Sequence, residues 1–142
     1  MCMALFAAAA EPLDLIEWTE RSPAFNVKDI DTRERSVARQ FTKPHVYYVG
    51  AHTRCACGFV YGQPFPPPDS AADEAAARVS VSALQQWLHD LVDDFGEVEL
   101  YACWEGDWAA DPAQRLHVTP EYFGGDAFAL GEKFAYRVTR VA

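Results

Sequence analysis

Between Glu97 and Trp104 the chain alternates with a period of two. Val98, Leu100, Ala102 and Trp104 fall on one side, and Glu97, Glu99, Tyr101 and Cys103 on the other. That period predicts a strand over 97–104. Immediately before it, Leu84, Leu88, Leu91 and Phe95 recur at spacings of four, three and four, widened by Trp87 and Val92. This predicts an amphipathic helix over 82–95, with Asp90, Asp93 and Asp94 toward water. Ser82 and Gln85 match a capping box at its start, and Gly96 supplies the stop. The run from Val46 to Val49, just after Pro44, predicts a strand over 45–50. Residues 3–8 read as a buried strand, and Phe134, Tyr136 and Val138 share one face of a last strand over 133–141.

The remaining segments carry weaker patterns. Residues 12–28 read as irregular and partly packed, Thr32 to Gln40 as a short helix capped by Thr32, and Phe59 to Tyr61 as a short strand. Four prolines between Pro64 and Pro68 make a stiff extended connector, and Pro64 with Pro67 has the spacing of a polyproline ligand. Ser70 to Arg78 is helix-prone, and Thr119-Pro120 reads as a helix start. The expected fold is a single domain over residues 1–142, α+β or α/β. A mixed sheet of about four to six strands would be covered by the one main helix.

Charge narrows the partners. The 142 residues carry 21 acidic and 12 basic side chains, a formal net charge of −9. Such a chain repels phosphate backbones, so nucleic acid is not an expected partner. A cation, a small ligand or a basic protein neutralised by the surface around Asp90, Asp93 and Asp94 fits better. No apolar run is long enough to span a bilayer. The stretch Cys2 to Ala10 has the small apolar residues of a signal-peptide core, but no Lys or Arg precedes it. It reads as a strand, and the expected compartment is the cytoplasm, where thiols stay reduced.

Soft ligands and thiols cluster at one place, His52-Thr53-Arg54-Cys55-Ala56-Cys57-Gly58. His52, Cys55 and Cys57 offer one nitrogen and two sulfurs, and Cys103 or Cys2 completes a zinc-type set after folding. The single residue between the thiols departs from the usual spacing of two to four. Cys55 and Cys57 are also candidates for a redox or hydrolytic centre, with Arg54 favouring a thiolate. Cys2 is a candidate N-terminal nucleophile that would use its own amine as base. Against all of these, cysteine is among the most buried residue types and often serves only as a small hydrophobe. Glu105 and Asp107, after the 97–104 strand, are carboxylates able to balance a cation or to do acid-base work. If strands 45–50 and 97–104 run parallel in one sheet, their exits lie on one edge, where open sheets collect ligands. The site would then comprise His52, Cys55, Cys57, Glu105 and Asp107. The expected function is a ligand- or metal-binding module without catalysis, with the cysteine-dependent enzyme as its rival.

The segments Lys43 to Gly50, Cys55 to Phe59 and Cys103 to Asp107 together resemble a group of small bacterial proteins that have no assigned activity. The resemblance covers most of the chain and implies a bacterial, cytosolic, single-domain protein. It supplies no substrate, cofactor or catalytic residue.

Overall fold

The computed structural model describes residues 2–60, 71–125 and 127–142. Six strands form one mixed sheet: β1 (Met3–Ala9), β2 (Phe25–Asp29), β3 (His45–Ala51), β4 (Glu97–Trp104), β5 (Gln114–Val118) and β6 (Phe134–Thr139). Their order is β2-β3-β1-β4-β6-β5, antiparallel throughout except for the parallel pair β5 and β6. One long helix, α1 (Ala71–Phe95), packs on one face, so the fold is single-domain α+β. No helix among the described residues is long and apolar enough to cross a membrane.

The period-two pattern works out as physics requires. Val98, Leu100, Ala102 and Trp104 join Met3, Leu5, Ala7 and Val49 beneath α1. Tyr101 and Cys103 lie on the opposite face with Ala4, Phe6 and Tyr48. That second face is closed by Ile30, Val37, Phe41 and Trp108, contributed by connecting segments. β1 is buried along its whole length because it runs centrally, with a layer on each side. Small alanines there let both layers approach the sheet closely.

Several local expectations are corrected. Ser82 does not cap a helix, because α1 runs unbroken from Ala71. Residues 71–95 contain neither glycine nor proline, so nothing stops the helix between the two segments read separately. Gln85 is interior and donates from Nε2 to the Phe123 carbonyl at 2.7 Å. The helix does end at Gly96, whose φ of 83° is the left-handed conformation glycine adopts freely. Thr32 is not a cap either. Asp31 and Glu34 cap each other's backbone N–H at 3.1 and 3.0 Å ahead of a 3₁₀ turn, Arg35–Gln40. Phe59 belongs to a 3₁₀ turn, Ala56–Phe59, and not to a strand. The stretch read as irregular over 12–28 contains the start of β2, and β5 was not anticipated. The polyproline reading at Pro64 and Pro67, and Tyr61 of the short strand, lie outside the described residues.

The arrangement of β3 and β4 decides where a site sits. Both run antiparallel to β1, which lies between them, so they point the same way. They are not direct neighbours. Even so, their carboxyl ends and the start of β1 share one sheet edge.

Candidate metal centre

At that edge β3 ends in a tight turn. The Arg54 N–H donates to the Ala51 carbonyl, and the Ala51 N–H donates to the Cys55 carbonyl, both at 2.9 Å. Arg54 takes φ of 71°, the position after the turn where glycine is commonest. Gly50 lies against the same loop. A Cβ there would stand 2.4 Å from the Arg54 carbonyl oxygen, so only glycine lets the loop fold back this closely. The Thr53 hydroxyl donates to the Cys55 carbonyl and accepts from the Gly58 N–H, each at 3.0 Å. These bonds hold Cys55 and Cys57 over the beginning of β1.

β1 completes the cluster. The Glu105 N–H donates to the Cys2 carbonyl at 2.9 Å, which faces the first residues of β1 toward β4 on one side. The next N–H therefore points to the β3 side. Pairing of β1 with β3 begins only at Leu5↔Val49. The Met3 N–H instead donates to Cys57 Sγ at 3.2 Å. The Sγ atoms of Cys2, Cys55 and Cys57 all lie within 4.8 Å of one another, and all three cysteines are partly exposed.

The trio is strongly polarised. The Cys55 thiol is held down to about 5, first by the hydrogen bond from Cys57 and then by Thr53, the Cys57 backbone and Cys2, against the effect of burial. The Thr53 hydroxyl oxygen is 3.4 Å from Cys55 Sγ. Cys57 is pushed up by the hydrogen bond it gives to Cys55 and by burial. Cys2 is raised by the charge on Cys55 and by burial, with Glu105 adding to the effect. The trio thus favours a thiolate on Cys55, with Cys2 and Cys57 pushed toward keeping their protons. Iodoacetamide is expected to label Cys55 at a rate already level by about pH 6, because the thiolate is fully formed above its lowered pKa. Cys2 and Cys57 should react only in alkaline solution. Peptide mass spectrometry across pH measures this, and a Cys55 rate still climbing near pH 8.5, as for an ordinary thiol, would contradict the geometry.

The structure sorts the residues named from sequence. Cys55 and Cys57 meet as expected, and the third sulfur is that of Cys2. His52 is not in the cluster. Both its backbone N–H and its Nδ1 lie against Ser80 Oγ, at 3.0 and 3.1 Å, so the ring faces α1. Cys103 is also outside the cluster. It is buried in the second layer, and burial pushes its thiol up to about 12. The alternation along β4 already turns Cys103 away from the α1 face. Glu105 flanks the trio through its backbone bond to Cys2 and raises the Cys2 pKa by its charge. Asp107 closes the following turn, its N–H donating to the Trp104 carbonyl at 3.0 Å, and its charge acts on Cys103. These carboxylates supply negative potential near the edge and are not within the ligand group. Sequence reasoning ranked Cys2 only as an optional partner, since its place beside Cys57 depends on β1 inserting between β3 and β4.

No family model, no curated protein and no solved structure matches this chain. The three-thiol cluster, a group able to hold a metal ion, therefore carries the functional argument alone.

Proposed function

We propose that this protein is a metal-binding module whose centre is Cys2, Cys55 and Cys57, and that its ion is of the soft, zinc-like class. The observation that carries the reading is the approach of three sulfurs from two separate chain segments to within 4.8 Å. Zinc bound to sulfur at about 2.3 Å in a tetrahedron sets neighbouring sulfurs about 3.8 Å apart. Side-chain rotations smaller than a rotamer change cover the difference. Thiolates select zinc and copper(I) over hard cations. The Met3 N–H donating to Cys57 Sγ is an outer hydrogen bond of the kind that orients and stabilises a ligating thiolate. The carboxylate of Glu105 adds attraction for a cation. Elemental analysis of protein purified without chelator tests the reading. One equivalent of zinc or copper per chain is expected, and protein that neither retains nor takes up such an ion would end the proposal.

A second reading is a thiol redox centre on Cys55, favoured by one observation: its sulfur accepts from neighbouring thiols. Attack of the Cys55 thiolate on an external disulfide would break its S–S bond and release one thiolate. Attack by Cys2 or Cys57 on the mixed disulfide would then join it to Cys55 and release the second, so that two electrons pass to the external disulfide, with one proton from the attacking thiol and one from solvent. Turnover of a small disulfide by metal-free protein, lost in Cys55→Ser, would place this reading first.

A further inference from the structure

Next to the thiol loop, on the outer side of the sheet, lies a groove of about 670 Å³. Its walls are the segment Leu15, Ile16, Glu17 and Trp18 on one side and β2, with Lys28, on the other, and Arg54 closes the end. The groove is built into the fold. Ile16 and Val27 exchange backbone hydrogen bonds, each 2.9 Å, which fasten the outer wall to edge strand β2. Trp18 donates from Nε1 to the His52 carbonyl at 3.2 Å, which fastens the same wall to the turn after β3.

Arg54 carries the argument. It occupies a left-handed backbone position, φ 71°, that suits glycine, so a long charged side chain stands there at a conformational cost. Its guanidinium lies 3.8 Å from the centre of the Trp18 ring. Stacking engages the flat face of the group and leaves the in-plane N–H donors available. Among the described residues no acceptor or carboxylate meets those donors. Lys28 makes no close ion pair among the described residues; its Nζ stands 4.7 Å from the Tyr48 ring centre and its charge acts on Glu34 at longer range. Two cations that make no close ion pair among the described residues share one groove in a chain of net charge −9.

We propose that this groove binds a small organic monocarboxylate with a flat apolar body. The guanidinium fork matches a carboxylate in a two-point hydrogen bond, and Lys28 adds a second positive charge. Leu15, 54% exposed, and Ile16 supply an apolar surface for the body of the ligand. The volume is within the range of small-molecule sites. Glu17 on the wall leaves the lining with one net positive charge, which favours a monoanion over phosphate.

Calorimetric titration with 2-naphthoate, set against its neutral isostere 2-naphthamide, tests the proposal independently of the metal reading. Saturable binding of one naphthoate per chain is expected, with the amide at least about tenfold weaker, the usual loss when a charged hydrogen bond is removed. Arg54→Gly is the informative variant. Glycine suits that backbone position, so the fold should be retained while naphthoate affinity drops about tenfold or more. Lys28→Gln, on the exposed end of β2, should weaken binding by a smaller factor. Equal affinity for acid and amide, affinity unchanged in both variants, or no saturable binding would each overturn the proposal.

Discussion

Cys2→Ser is expected to lower metal affinity on the order of 100-fold or more, measured by competition with a chromophoric chelator. Mutation of outer partners of a metal ligand typically costs 10- to 100-fold, and removal of a thiolate itself should cost at least as much. Cys2 is the sharpest choice because it comes from the start of β1, far in sequence from the loop that holds the other two sulfurs. Its loss tests the folded geometry, whereas loss of Cys55 or Cys57 also tests a local chelate. The effect extends to stability. An ion present at 100 times its dissociation constant stabilises the folded state by about 2.7 kcal/mol. For a domain of this size that corresponds to a rise in melting temperature of roughly 5–10 °C. The parent protein should show that rise on adding metal, and Cys2→Ser should not. Cys103→Ala, buried in the second layer, should retain full affinity. The sign with pH follows from the thiols. Cys2 and Cys57 hold their protons above the usual thiol range, so the ion must displace them. Binding therefore releases protons and weakens as pH falls. Affinity independent of pH, or unaffected by loss of Cys2, would contradict the assignment.

Leu88→Ala should cost about 3–5 kcal/mol of folding free energy, the range for removing a fully buried leucine from a packed core. Leu88 is 0% exposed and sits at the centre of the stripe by which α1 grips the sheet. Natural domains have only about 5–15 kcal/mol in total, so this single truncation removes a large share. Denaturant unfolding at 25 °C measures it. The control is Val79, on the same helix but 57% exposed, where alanine should change stability by no more than about 0.5 kcal/mol. A Leu88→Ala cost below about 1 kcal/mol would mean that α1 does not pack on the sheet as described.

The helix stripe was legible because it sets a dry face against a wet one over several repeats, and β4 because Val98, Leu100 and Ala102 alternate with the polar Glu97 and Glu99 at its start, although Tyr101 and Cys103 on that second side are buried too. Leu84, Leu88 and Leu91 announce the face of α1, and Val98, Leu100 and Ala102 announce the face of β4. Where a strand is short or at an edge, the contrast fades. β5 has only Leu116 and Val118 to set against Gln114, Arg115 and His117. β2 has Phe25 and Val27 in a stretch read as irregular. The capping-box pattern at Ser82 misled for a different reason: it marks a helix start only where the preceding residues are not already helical, and Ala71–Val81 are.

The site was partly legible in the same sense. The thiol pair at Cys55 and Cys57 stands out in sequence, and the common edge for the exits of β3 and β4 followed from reading them as codirectional. The partner sulfur did not follow. Nothing local links Cys2 to Cys57; their contact arises because β1 passes between β3 and β4 and directs the Met3 N–H at sulfur. His52 was misplaced because sequence proximity to Cys55 says nothing about the turn, which rotates the imidazole toward Ser80.

X-ray absorption at the edge of the bound ion tests the central claim most directly. The account predicts three sulfur neighbours at about 2.3 Å, the distance of a zinc–thiolate bond, with that shell reduced to two in Cys2→Ser. A first shell made mainly of nitrogen and oxygen, or a sulfur shell unchanged when Cys2 is replaced, would contradict it.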